Sequence, residues 1–294
     1  MNGKTGYPRF KSETRYDSIT YPQEPGFSFK DNRLALSKIG HIKIRLHRKI
    51  EGKVKTCSVA RDGNNWYACF SAEYEPDKRS VPEKSIGIDV GIKSFAVLSD
   101  GETIDNPKHL GKSEHKLKRL QRELSRKKRG SSSRKKARSA VLCLHRKVRN
   151  QRSDFQHKVS RKIVNTYGII IAEDLDIRNM VRNRYLAKSI LDAGWGGFLN
   201  KLTYKAAEAG CRFEKVTARH TSVICSKCGE KVPKTLAVRV HACPFCGLVL
   251  DRDHNAAINI LNKSTVGITG RYARGEVVQS GSSPNREASS ARAR

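Results

Sequence analysis

The sequence predicts an α/β fold with a metal-binding insertion and a basic helical hairpin, preceded by a partial β-barrel. Three observations carry that reading. Two short apolar runs, Ser85–Val90 and Tyr167–Leu175, each end on acids, Asp89 and Glu173, as two buried strands delivering carboxylates to one end of a sheet would. Two CxxC pairs, Cys225/Cys228 and Cys243/Cys246, stand 14 residues apart, which is zinc-ribbon spacing. Between Gly111 and Lys162 there are 20 Lys/Arg against 3 acids, yet apolar residues still recur at helical intervals.

A chain of 294 residues has room for two domains, or for one large domain with insertions. Its net charge of +31 exceeds what solubility requires. A field of that sign attracts polyanions, of which nucleic acid is the usual one. No apolar run is long enough to span a bilayer, which argues against a membrane partner. No charged-apolar-small signal pattern opens the chain, so an intracellular protein is expected, cytoplasmic and associated with the nucleoid. The eight cysteines are then not a disulfide framework. The four without metal spacing, Cys57, Cys69, Cys143 and Cys211, are expected to be small buried hydrophobes.

In chain order, residues 1–80 begin with a polar, aromatic-dotted run and become β-like from about Phe27. Ile42, Ile44 and Leu46 alternate with basic residues. Val54–Val59 and Trp66–Tyr74 flank Arg61-Asp62-Gly63-Asn64-Asn65, a hairpin turn by composition. The outward Lys43, Arg45, His47 and Arg48 suit either a nucleic-acid backbone or a solvated face. A linker, Ser80–Lys84, leads into the main unit at 84–222. There Asp89 interrupts an apolar strand, at a cost unless it is paired, exposed or bound to a cation. The helical hairpin spans 112–165. Leu117, Leu120 and Leu124 form one stripe, and Val141, Leu144, Val148, Phe155, Val159 and Ile163 the other, with Gly130–Ser133 between them. Lys127, Lys128, Arg129, Lys135 and Lys136 flank that turn and are expected to meet phosphates. A further helix carries Phe198, Leu199, Leu202 and Ala206, and a short strand follows at 213–216. The ribbon occupies 223–249 and a final helix 250–264. Residues 265–294 lose periodicity and are expected to be disordered.

Cys thiolates bind Zn²⁺ tetrahedrally, and Gly229 and Gly247 just after each pair allow the tight knuckle backbone. Four sulfurs leave no open position, so the zinc is expected to be structural. The acids suit different chemistry. Phosphodiester hydrolysis needs an activated water and a stabilised leaving oxygen, which two divalent ions about 4 Å apart supply. Mg²⁺ prefers oxygen ligands and keeps several waters. Asp89, Glu173 and Asp253 would provide them from two strand ends and a helix start. Asp253 is equally suited to cap that helix, with Asp251 and Asn255 as competitors.

Gly87-Ile88-Asp89-Val90-Gly91, Ile171-Ala172-Glu173-Asp174-Leu175, the CxxC…CxxC ribbon and Asp251-Arg252-Asp253-His254-Asn255-Ala256-Ala257 occur in that order. Together, over roughly Pro8 to Leu261, they resemble the TnpB (OrfB) family of insertion-sequence-associated proteins, related to compact type V CRISPR effectors. The resemblance implies a RuvC-like (RNase H-like) nuclease fold and RNA-guided, Mg²⁺-dependent DNA cleavage, with DNA and a guide RNA as partners. By motif, Asp89, Glu173 and Asp253 would be the catalytic acids and magnesium ligands, and Cys225, Cys228, Cys243 and Cys246 the zinc ligands. The early strands would be the end of a wedge barrel gripping guide RNA, and Arg252 would contact the scissile strand or form a surface salt bridge. Family members carry a further N-terminal stretch, with a helix-turn-helix and a helical insert in the barrel, that is not found here. A truncated relic, a start placed too late in the frame, or a minimal form relying on a partner would each account for that. A non-cleaving nucleic-acid-binding regulator or relic, and less favourably a DNA-joining transposase, are the alternatives.

Overall fold

A computed structural model describes residues 16–272, apart from Glu24, Asp31, Asn64, 76–79 and 236–237, with backbone alone at 265–272. The chain divides into two compact units, one of 1–82, 107–166 and 178–211, the other of 83–106, 167–177 and 212–294.

The first unit opens with six strands, β1 (Ser18–Tyr21), β2 (Phe27–Lys30), β3 (Arg33–Leu36), β4 (Gly40–Lys43), β5 (Lys53–Asp62) and β6 (Asn65–Glu73). They form two antiparallel three-stranded sheets, ordered β1-β5-β6 and β2-β3-β4. Both contribute to one core of Phe27, Leu34, Leu36 and Cys57, against which Phe29, Ile44, Val59 and Phe70 pack. β5 and β6 pair as a hairpin out to Asp62 and Asn65, as the composition of the 61–65 stretch predicts.

The helical hairpin follows as α1 (His109–Arg126) and α2 (Ser132–Thr166). Asp192 accepts from Leu110 N and Gly111 N at the start of α1. Arg134 Nη1 donates to Leu124 O and Lys127 O at its end, so one basic residue of the turn has a structural task. The Leu117/Leu120/Leu124 stripe is only half-buried, and no residue of α1 reaches full burial. On α2 the expected stripe holds for Val141, Leu144, Val148 and Ile163, but Gln156 and Ser160 replace Phe155 and Val159 as buried positions. The reason is hydrogen bonding. Beyond the single turn α3 (Ile177–Met180) come α4 (Ala187–Ala193) and α5 (Trp195–Glu208). Gln156 Nε2 donates to the carbonyls of Ala193 and Gly194, and Lys205 Nζ donates to Ser160 Oγ. Polar anchoring, rather than apolar fit, sets which face of α2 turns inward there.

The second unit contains β7 (Ser85–Val90), β8 (Ser94–Leu98), β9 (Thr103–Asp105), β10 (Ile169–Asp174) and β11 (Arg212–Thr217). They make a mixed five-stranded sheet ordered β11-β10-β7-β8-β9. β7, β8 and β9 form an antiparallel meander, while β10 runs parallel to both β7 and β11. β12 (Val240–Ala242) and β13 (Val249–Asp251) pair antiparallel in the cysteine-bearing insertion.

The last helix, α6 (Arg252–Tyr272), lies against β7 through buried Ala256, Ala257 and Ile260. Gly87 permits that approach, since a Cβ there would fall 2.2 Å from Ala257 O. α6 runs past 264 into the stretch expected to be disordered, and residues 273–294 lie outside the described ones. Lys263 bonds to Thr217 and Arg219 and Ser264 to Glu214, which ties this part of the helix to β11 and the loop after it. Of the four scattered cysteines, Cys57 and Cys211 are buried as expected, whereas Cys69 and Cys143 are exposed. No described helix is long and apolar enough to cross a membrane.

Candidate functional site

The β7–β10 register pairs Ala172 with Ile88. Their successors, Glu173 and Asp89, therefore reach the same edge of the sheet, as the two parallel sequence patterns lead one to expect. The third acid arrives on α6. Asp251 Oδ1 accepts from Asp253 N at 2.8 Å and His254 N at 3.3 Å, so Asp251 is the N-cap. That leaves Asp253 in the first helical turn with its carboxylate free of capping. His254 Nε2 meets Ser99 O at 3.2 Å and ties this turn to the end of the β8 hairpin.

These acids share one electrostatic environment. Burial, followed by the carboxylates of Glu173 and Asp253, pushes Asp89 well above the usual carboxylate range, while Arg252 pulls the other way. Burial also raises Glu173, against the opposing effects of a hydrogen bond from Thr221 and the charge of Lys263. Glu173 is 9% exposed, and Thr221 Oγ1 donates to its Oε1 at 2.5 Å. Asp253 lies 3.8 Å from Arg239. Burial thus opposes ionisation of both Asp89 and Glu173, and a positive ion would relieve that cost and the repulsion felt by Asp89.

Arg252 is placed differently from the expectation for it. Its guanidinium is buried and donates to Thr235 O, Val238 O and Ser222 Oγ. It braces the insertion against α6, and its charge still acts on Asp89. Sequence alone shows a basic residue between two acids and gives no indication of the carbonyls it satisfies.

The four cysteines converge as the CxxC spacing predicts. Their sulfurs all lie within 4.8 Å of one another, and among the described residues no other group of three or more His, Cys, Asp and Glu does so. Cys225–Cys246 and Cys228–Cys243 are each 3.6 Å apart. A tetrahedron of 2.3 Å Zn–S bonds has edges of about 3.8 Å, so the cage fits that ion. The two knuckles repeat one geometry. Gly229 (φ +80°) and Gly247 (φ +71°) donate to Cys225 O and Cys243 O, in a backbone conformation that needs glycine. Burial opposes ionisation of Cys225, but the N–H groups of Cys228 and Lys227, with His241, outweigh it and bring the thiol to about 6. The cluster could thus hold a metal such as zinc.

Lys128, Arg129, Lys135 and Lys136 are exposed at the turn of the helical hairpin, and Lys127 is half-buried. Neutralising these five together is expected to flatten the salt dependence of nucleic-acid affinity. The log–log slope should fall by about 0.9 for each duplex phosphate that the variant no longer neutralises, or about 0.7 on single strands. A filter-binding titration across salt concentrations measures it, and an unchanged slope would return the turn to an ordinary solvated face.

The fold defines a strongly basic mixed α/β protein, one unit of which carries a four-cysteine cluster that could hold a metal such as zinc and a set of strand-end and helix acids. Comparison with known proteins agrees with that class. Residues 69–184 match the OrfB_IS605 family model, described as "Probable transposase", and 195–260 match that of the Cas12f1-like TNB domain. A Streptomyces pristinaespiralis protein named "Putative RNA-guided DNA endonuclease" is 36% identical over 88% of this chain and 65% of its own length. InsQ of Escherichia coli, which bears the same description, is 31% identical over 95% of this chain and 72% of its own. The chain belongs to their family, the TnpB (OrfB) family of insertion-sequence proteins. It spans about two thirds of the length of these curated relatives. A solved Cas12f1–sgRNA–target DNA complex aligns with 71% of this chain and 56% of that one, at 22% identity and a TM-score of 0.45.

Sequence reasoning took Asn255 only as a possible cap and missed Asn259 and Lys263, which with it grip the 217–226 loop. Their signal was present, since Asn255, Asn259 and Lys263 recur every fourth residue along the helix.

Proposed function

We propose that this chain is a transposon-associated, RNA-guided DNA endonuclease that hydrolyses phosphodiesters at Asp89, Glu173 and Asp253. The observation that carries this reading is the placement of the three acids, with Glu173 and Asp253 both acting on Asp89. Two arrive on adjacent parallel strands and one on a helix whose cap is a different residue. The relatives' names support the nucleic-acid substrate and the guide. The five-stranded mixed sheet suits a RuvC-like, RNase H-like nuclease at 84–222. The strands of 1–80 suit a partial wedge barrel, and 223–249 a zinc ribbon.

Magnesium is the cation that fits the oxygen donors, and when bound it would activate water and stabilise the leaving oxygen. The chain's own contributions can be stated separately. Asp89, half-buried, and Glu173, 9% exposed, offer carboxylates whose ionisation a cation would favour. Asp253 adds a third carboxylate at a helix N-terminus. Thr221 fixes one oxygen of Glu173. The sulfur cage is closed to substrate and serves structure. Lys128, Arg129, Lys135 and Lys136 would guide the polyanion.

The test is cleavage of labelled DNA, loaded with guide RNA, by wild type and Glu173→Gln with Mg²⁺ or EDTA. Cleavage that needs both Mg²⁺ and Glu173 is expected. Equal cutting by the two proteins would overturn the assignment. Binding without cutting would favour a regulator, and strand-joined products a transposase.

A further inference from the structure

One loop joins the carboxylate cluster to the sulfur cage. It leaves β11 at Thr217 and enters the first knuckle at Cys225. Three side chains of α6 hold its main chain. Lys263 Nζ donates to Thr217 O at 2.8 Å and Arg219 O at 2.5 Å. Asn259 Nδ2 donates to Thr221 O at 2.8 Å and Ile224 O at 2.7 Å. Asn255 Nδ2 donates to Ile224 O at 2.8 Å, while its Oδ1 accepts from Ser226 N at 3.0 Å, inside the CxxC turn.

Residues 255, 259 and 263 form one stripe of the helix, so a single face is given over to this backbone. Asn255 is fully buried and Asn259 is 7% exposed. Amides in such positions destabilise a fold unless their hydrogen bonds are made. Here those bonds go to loop carbonyls and to the knuckle. In the middle of the same loop is Thr221, 3% exposed, with its hydroxyl on Glu173.

We propose that Thr221 is the positioning residue for Glu173, and that the Asn255–Asn259–Lys263 clasp makes this positioning depend on a filled cysteine cage. The inference rests on the nuclease reading above and adds a route by which the structural metal governs the catalytic one. A glutamate side chain has three rotatable bonds, and a buried hydroxyl donating to one oxygen selects among its rotamers. The second oxygen would then be left for a cation. Ile224 O receives two of the clasp's bonds one residue before Cys225, and Ser226 N makes another one residue after it. Ordering of the knuckle by metal therefore orders the segment that carries Thr221.

The test uses the full chain and Mn²⁺ alone as probe, by calorimetry without nucleic acid, beside zinc content and cleavage kinetics. Thr221→Val keeps the side chain's shape and removes the donor. It should retain full zinc yet bind Mn²⁺ roughly tenfold more weakly, the scale of losing an outer partner of a metal ligand. The kcat should fall similarly with KM for DNA unchanged. Thr221→Ser should restore both. Asn259→Ala should weaken zinc retention and Mn²⁺ affinity together, and stripping zinc from wild type should lower its Mn²⁺ affinity.

Wild-type Mn²⁺ binding by Thr221→Val, or a serine variant no better than valine, would overturn the positioning role. Mn²⁺ affinity indifferent to zinc would overturn the dependence on the cage. If Glu173→Gln changes neither Mn²⁺ binding nor cleavage, the nuclease reading itself falls and the inference with it.

Discussion

Asp89→Ala is expected to remove DNA cleavage by roughly 10²–10³-fold or more, the scale of losing one preorganised electrostatic group at a transition state. Asp89 is the acid whose carboxylate is raised by burial and by both of its neighbours. The same residue makes a second, opposite prediction for stability. With no cation added, Asp89→Asn should melt at a higher temperature than wild type near neutral pH. A carboxyl whose folded value lies above its unfolded one costs nothing below the unfolded value, near 4, where both states are protonated. The cost grows as pH rises from there to the folded value and is then constant. The stability gap between variant and wild type should therefore open with rising pH and close in acid. Thermal melts across that range read it directly. A wild type that is equally stable, or more so, at neutral pH would mean the acids are not in conflict. Loss of function with gain of stability is the usual mark of a strained active site.

The next largest effect is expected from the cage. Cys225→Ser should drop bound zinc measurably, and chelation should unfold the insertion, because structural zinc contributes on the order of 10–16 kcal/mol in small zinc-binding peptides. The sheet of the same unit has its own buried residues, Ile86, Ile88, Phe95, Leu98, Ile170 and Ile171. Hydrogen exchange should therefore show deprotection concentrated between residues 219 and 251, with β7 and β10 keeping their protection. Full zinc retention by the variant would refute the cage. Uniform loss of protection would refute the separation between the cage and the sheet.

The parts of this protein that were legible in its sequence are those with a strong local pattern. An acid closing an otherwise apolar strand is costly, so Asp89 and Glu173 stand out from the chain pattern alone. CxxC spacing is a local geometric constraint, and the four cysteines meet as it requires. The helical hairpin is visible through its stripes despite its charge. What fails to show depends on partners distant in the chain. Asp251 and Asp253 are both acids at a helix start, and only the helix register makes the first the cap. Arg252 looks available in sequence because the carbonyls of Thr235 and Val238 that absorb it come from an irregular loop. Gln156 and Ser160 look like surface residues of α2 until Lys201, Lys205 and the Ala193–Gly194 carbonyls appear beside them.

Gly87 carries a consequence for how the acids keep their distance. With no side chain between them, the backbone of β7 meets the backbone of α6 at Ala257, four residues from Asp253 and two from Asp89. The spacing between the strand that carries Asp89 and the helix that carries Asp253 is thus gauged by main chain against main chain. Side chains drift from one relative to the next, but peptide groups do not change size. A spacer made from them holds its length while the core around it is rewritten.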